Sequence, residues 1–140
     1  PDTLLNVLQI AALQGVDIRL MIPEKSDSRL SDACTWSYLG QVLEAGVKVY
    51  VYNKGFLHSK AIVIDDSLSI VGSANMDERS FGTNFEVNAF IYDLATSRKL
   101  KYLFVKDMRS CKKLTFDDWN RRKRKQKLKE SIARLFSPLV

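Results

Sequence analysis

A chain of 140 residues with a 46% apolar share and 27% charged residues has room for one ordinary domain with a real core, which excludes a disordered segment. No apolar run approaches the roughly 18 residues that cross a bilayer, and no signal-peptide pattern opens the chain, so any membrane contact is expected to be peripheral or to belong to chain beyond these residues. The net charge of +6 is uneven: residues 108–140 hold 11 Lys/Arg against 3 Asp/Glu, whereas residues 1–107 hold 11 against 13, which places an expected anionic partner at the C-terminal end.

In chain order, Leu4, Leu5, Leu8, Ala11 and Ala12 recur at helical spacing, with Asp2 or Thr3 as the expected N-cap and Gly15 as the stop. Residues 16–22 (VDIRLMI) read as a buried strand ended by Pro23. Residues 25–32 are a polar loop, and a second helix is predicted from about 31 to 45 with Gly46 just past its end. Residues 47–52 (VKVYVY) alternate as a half-buried strand does. Two short apolar runs, 61–64 and 68–71, are joined by Asp65-Asp66-Ser67, which is the signature of a hairpin. Residues 85–92 (FEVNAFIY) give a further strand, and residues 94–109 a helix with Tyr102, Leu103 and Val105 among its apolar positions. Residues 115–118 (TFDD) read as a cap into a basic helix. This order predicts an α/β sandwich, a mixed β-sheet flanked by helices, with a body over 1–110 and a basic amphipathic tail over 111–140. Cys34 and Cys111 fit no close-spaced metal pattern and suggest a reducing compartment, a single disulfide being the alternative.

The chemistry is concentrated in residues 58–65 (HSKAIVID). On extended chain His58 and Lys60 point to one face, because the side-chain period is two. An imidazole beside an ammonium suits attack on a phosphodiester: the ring acts as nucleophile or acid, and the ammonium holds a phosphoryl oxygen. Asp65 sits at odd spacing from His58 and next to a turn, where turn chemistry alone would also place it. Gly72-Ser73-Ala74-Asn75 follows, with a hydroxyl and an amide that can donate to phosphate oxygens. Glu86 on the next strand is a candidate to orient the histidine by accepting from its ring, with pairing to Arg79 as the alternative. Residues 77–80 (DERS) read as a solvated loop or helix start.

His58, Lys60 and Asp65 in HxKxxxxD spacing, followed by Gly72, Ser73 and Asn75 as GSxN, resemble the HKD motif of the phospholipase D superfamily. The segments GFLHSKAIVIDD, VGSANMDERSF and NFEVN, with AALQGVDIRLMIP near the start and ARLFSPL near the end, are similar to the C-terminal half of bacterial cardiolipin synthases. The resemblance implies a phospholipase D-like sandwich in which two HKD motifs face each other across a pseudo-two-fold. One histidine forms a phosphohistidine and the other protonates the leaving alcohol. It implies phosphatidyl transfer between two phosphatidylglycerol molecules, giving cardiolipin and glycerol with no obligatory metal or cofactor. The site residues it implies are His58, Lys60 and Asp65 for catalysis, and Ser73, Asn75 and Glu86 for binding and orienting the substrate phosphate. For the full-length protein it implies the cytoplasmic face of the bacterial cell membrane, this fragment alone being soluble or peripheral.

One HKD copy is present and His58 is the only histidine, so a two-histidine mechanism is incomplete in these residues. The second motif is expected from a missing N-terminal half or from a second copy of the chain. By family analogy His58 is the general acid, although the residues themselves leave the nucleophile's role open. The alternative reading is a homodimeric phospholipase D-like phosphodiesterase or nuclease; a third is a half-domain that binds phosphate or lipid without turnover. The run Arg121–Lys127, flanked by Trp119, Leu128, Ile132, Leu135 and Phe136, reads as an amphipathic helix for anionic lipid in preference to nucleic acid. A helix that simply packs its apolar face on the domain is the competing reading.

Overall fold

The computed structural model describes residues 1–26 and 28–136; Asp27, within the predicted polar loop, and residues 137–140, which include the end of the ARLFSPL segment, lie outside the described residues. The chain begins with α1 (Asp2–Leu13), which starts one residue ahead of expectation, with Pro1 as N-cap and Asp2 as the acidic residue of its first turn. Gly15 stops it at φ 90°, a conformation that costs glycine nothing, and its N–H returns to the Ala12 carbonyl. Strand β1 (Arg19–Pro23) follows, three residues shorter at its start than the apolar run. Ser28 caps α2 (Arg29–Glu44) by accepting from the Ser31 N–H, and Gly46 at φ 97° turns the chain into β2 (Lys48–Tyr52).

The expected hairpin is β3 (Ala61–Ile64) and β4 (Leu68–Gly72), paired antiparallel. Asp65 and Asp66 make the turn with φ of 47° and 63°, the left-handed region that aspartate tolerates better than most residues. A short helix α3 (Glu78–Gly82) is capped by Asp77, which accepts from the Ser80 N–H at 2.7 Å. Strand β5 (Asn88–Ile91) begins three residues later than the apolar run, because the Val87 N–H is taken by the Ser73 hydroxyl at 3.0 Å instead of a ladder carbonyl. Helix α4 (Leu94–Met108) lies where its periodicity put it, capped by Asp93.

Among the described residues two three-stranded sheets result, in the orders β1-β2-β6 and β3-β4-β5. The mixed character is in the first, where β1 and β2 run parallel and β6 (Lys112–Leu114) joins β2 antiparallel. Residues 53–60, which carry Gly55, form no ladder between the sheets. The core sits on the first sheet, where Ile22, Val47, Val49, Val51 and Leu114 meet Leu39 and Val42 of α2. On the second sheet the buried Ser69 and Ser97 hydroxyls, 2.7 Å apart, join β4 to α4. The opposite face of that sheet aligns Ile62, Ile70 and Phe90, and there Ile62, Ile64 and Phe90 are exposed.

Residues 115–134 form two helices rather than one. Thr115 caps only α5 (Phe116–Asn120), and α6 (Arg124–Arg134) starts after a break at Lys123, whose ψ of 141° is not helical. The break lets Arg122 turn inward, where it stacks 3.8 Å over the Trp119 ring and pairs with buried Glu130 at 2.8 Å. Trp119 belongs to α5 and fills a slot above Gly40 of α2, where an added Cβ would lie 2.3 Å from its ring. The inner side of α6, through Glu130 and Ala133, packs on α2, and the Cys34 thiol donates to the Ala133 carbonyl. Both cysteines are free thiols, with burial raising the pKa of each.

Candidate active site

The hairpin and the segment leading into β5 bring together Lys60 and Glu86, 26 positions apart in sequence. Lys60 immediately precedes β3, and its carbonyl accepts from the Gly72 N–H at 3.1 Å, which extends the β3–β4 ladder by one step. Gly72 is required there: a Cβ would fall 2.1 Å from Asn88 Oδ1 and 2.3 Å from the Val87 carbonyl. His58 is exposed, its ring stacked on Phe56 at 5.3 Å and 18°. The Lys60 ammonium donates to the His58 carbonyl at 2.9 Å, so the positive charge lies against the histidine's own backbone.

Around Glu86 the geometry is tighter. Its Oε2 accepts from the Ser73 hydroxyl, and its Oε1 accepts from Ser80 at 3.0 Å and from Asn84 Nδ2 at 3.3 Å. Those bonds from Ser73 and Ser80, then Asn84, together with the Lys60 charge, hold the Glu86 carboxyl below the usual glutamate range. The carboxylate is thus within electrostatic reach of Lys60 and fixed by three donors. Neither Glu86 oxygen is hydrogen-bonded to His58 among the described contacts. Arg79 is likewise not its partner.

The remaining candidates separate into two groups. The Ser73 hydroxyl donates a hydrogen bond to Glu86 and accepts from the Val87 N–H, while the Ser73 N–H donates to the Val87 carbonyl at 3.0 Å. Asn75 is exposed, and its backbone N–H is held by Ser80 Oγ at 3.1 Å. Asp65 lies at the hairpin turn, at the other end of β3 from Lys60. Five residues of extended chain separate the two, roughly 16 Å. Its neighbour Asp66 pairs with Lys101 of α4.

Ser80 is the site residue that spacing did not find. It is buried, and a single hydroxyl links the Asn75 backbone to the Glu86 carboxylate. Its only signal in the sequence is its position three residues after Asp77, which caps its N–H. A cleft of about 370 Å³ opens next to the histidine loop, lined by Lys25, Ser26, Asn53 and Phe56 among others, at the carboxyl ends of parallel β1 and β2. Among the described residues no three His, Cys, Asp or Glu side chains gather as a metal site.

Residues 1–108 match the family described as "Cardiolipin synthase, PLD-like domain". The chain belongs to that family. This PLD-like domain is 46% identical over its whole length to the major cardiolipin synthase ClsA of Bacillus subtilis, and 49% identical to cardiolipin synthase 2 of Staphylococcus epidermidis. Cardiolipin synthase 2 of Bacillus anthracis is 45% identical over 99% of the chain. The chain spans 29% of the length of the first two relatives and 27% of the third. Its fold is similar to the crystal structure of a phospholipase D family member, Nuc from Salmonella typhimurium, with a TM-score of 0.69 and 18% identity over 79% of this chain and 72% of that one. That likeness carries the α/β fold of the PLD-like domain.

Proposed function

We propose that this PLD-like domain is the C-terminal catalytic half of a phosphatidyltransferase that condenses two phosphatidylglycerol molecules to cardiolipin and glycerol. The observation that carries the reading is Lys60, two residues from His58, within electrostatic reach of a Glu86 carboxylate held by the Ser73 and Ser80 hydroxyls, with Ser80 also holding the Asn75 backbone. The 45–49% identity with cardiolipin synthases over nearly every residue supports the substrate class.

In the proposed reaction one histidine attacks the phosphorus of phosphatidylglycerol and a P–N bond forms as the P–O bond to glycerol breaks. The facing histidine gives its proton to the departing glycerol. The hydroxyl of a second phosphatidylglycerol then loses its proton to that same histidine and attacks phosphorus, and the P–N bond breaks. Lys60 stabilises the charge that develops on the phosphoryl oxygens, and His58 serves as the general acid. The facing motif comes from the N-terminal half of a longer chain or from a second copy. The open face of the β3-β4-β5 sheet, with exposed Ile62, Ile64 and Phe90 on the side that bears Lys60, supports such a partner. A membrane carrying the anionic substrate is the surface on which the enzyme works, with the basic tail toward it. The body over 1–110 carries the chemistry in this reading.

Full-length protein incubated with labelled phosphatidylglycerol vesicles tests the proposal. The expected result is cardiolipin and glycerol in equal amounts. Nicking of plasmid DNA with vesicles left unchanged would overturn it and assign a homodimeric phosphodiesterase. Binding of vesicles with no turnover would also overturn it.

A further inference from the structure

Helix α6 packs on the domain with its polar side and leaves its apolar stripe outside. The inner side holds Glu130, which accepts from Arg122 and from Gln126 Nε2, and Ala133, which touches Cys34 of α2. Leu128, Ile132 and Leu135 recur at i, i+4 and i+7 and so form one stripe along the helix. They are 64%, 50% and 78% exposed, respectively. A stripe of three aliphatic side chains on the outer surface of an otherwise charged helix is the reverse of what packing on the domain would give.

The charges around the stripe are of one sign. Arg124, Lys125 and Lys129 are exposed on the outer part of the helix, and Lys127, on the other flank, reaches Asn120 at 3.0 Å. Arg121 and Lys123 extend the basic surface at the N-terminal end. The acidic residue of α6, Glu130, is on the inner side and is neutralised by Arg122. Nucleic acid would meet the lysines and leave the leucines in water, and an acidic protein would do the same. An anionic bilayer satisfies both: aliphatic side chains enter the headgroup boundary while Lys and Arg meet lipid phosphates. No helix among the described residues is long and apolar enough to span.

We infer that the outward face of α6 (Leu128, Ile132 and Leu135 with their flanking Lys and Arg residues) docks in the plane of an anionic phospholipid membrane. The inference rests on the lipid reading of the site for its setting, but it concerns binding and not turnover. The fixed inner contacts, Cys34 to the Ala133 carbonyl between α2 and α6, Arg122–Glu130 between the α5–α6 break and α6, and Trp119 of α5 above Gly40 of α2, hold α6 in place and so give the docked domain one orientation.

The test is sedimentation of the 140-residue chain with vesicles of phosphatidylglycerol and phosphatidylcholine, against vesicles of phosphatidylcholine alone. Binding is expected only to the anionic vesicles and weakens as salt rises. Replacing Leu128, Ile132 and Leu135 together by serine is expected to weaken it by at least about a hundredfold. Each of Lys125→Gln and Lys129→Gln is expected to weaken it about fivefold. The outer side chains support no inner contact, so the melting temperature of the triple variant should match wild type. A dye on Ile132→Cys, in a Cys111→Ser background, should shift to the blue on anionic vesicles. Equal binding to both vesicle types, unchanged binding by the triple variant, or no dye shift would each overturn the inference. A chain that binds as expected in a full-length protein that makes no cardiolipin retains this inference and loses the proposed function.

Discussion

Ser80 Oγ donates to Glu86 Oε1 at 3.0 Å while accepting from the Asn75 N–H at 3.1 Å, so one buried hydroxyl ties the loop after β4 to the segment before β5 that carries the carboxylate. Ser80→Ala removes both bonds and leaves Ser73 and Asn84 as the carboxylate's donors. The expected outcome is a turnover loss of about 10- to 100-fold with little change in KM, because the loop is displaced from its reacting position. The Glu86 titration, followed by NMR, should start below the ordinary glutamate range and move up in the variant. A depressed carboxylate pKa means that Glu86 contributes stability above its unfolded pKa and loses it as pH falls through the folded one. The variant should therefore lose less stability on acidification than wild type. An unmoved titration would reduce Ser80 to a packing residue.

Lys60 and Asp65 should respond very differently to removal. Lys60→Ala takes away the ammonium beside His58 and is expected to lower turnover by about 10³-fold or more. Asp65→Asn keeps a residue that tolerates φ 47° and changes nothing near Lys60, so turnover should stay within about tenfold of wild type. Steady-state rates of the two variants check this, and a loss at Asp65 equal to that at Lys60 would give the aspartate a direct part.

Gly72→Ala places a methyl group 2.1 Å from Asn88 Oδ1 and 2.3 Å from the Val87 carbonyl. Strand β5 must move away from β4, at a cost of about 1–3 kcal/mol, and Ser73 loses its registration with Val87. Thermal unfolding should show the destabilisation. Activity should fall further than the unfolded fraction explains.

Glu130→Ala leaves the Arg122 guanidinium buried without its anion, its side chain only 8% exposed. The expected loss is about 3 kcal/mol or more, read as a lower urea midpoint. The double change Arg122→Met with Glu130→Leu should recover much of it. A single variant as stable as wild type would contradict the burial of the Arg122–Glu130 pair.

The candidate site was legible in the sequence where it rests on local spacing. His58 and Lys60 are two apart, and the Asp65-Asp66 turn announces the hairpin that sets Gly72 against Lys60. The expectation that Glu86 accepts from His58 rested on residue type alone, and the carboxylate is instead surrounded by Ser73, Ser80 and Asn84. Ser80 was not legible, because its role exists only once α3 folds back on β5. The long-range parts of the fold were hidden for a related reason. Lys112-Lys113-Leu114 has no strand pattern of its own and becomes β6 only by pairing with β2. Likewise, nothing local reports that Trp119 needs Gly40, or that the charge run breaks at Lys123 so that Arg122 can reach Glu130.

The measurement that bears most directly on the account is cardiolipin formation from phosphatidylglycerol vesicles by full-length protein carrying His58→Ala. A loss of about 10⁴-fold or more in turnover with vesicle binding intact is expected, because a member of the proposed two-histidine pair is gone. Wild-type turnover in that variant would contradict the assignment of the site to His58.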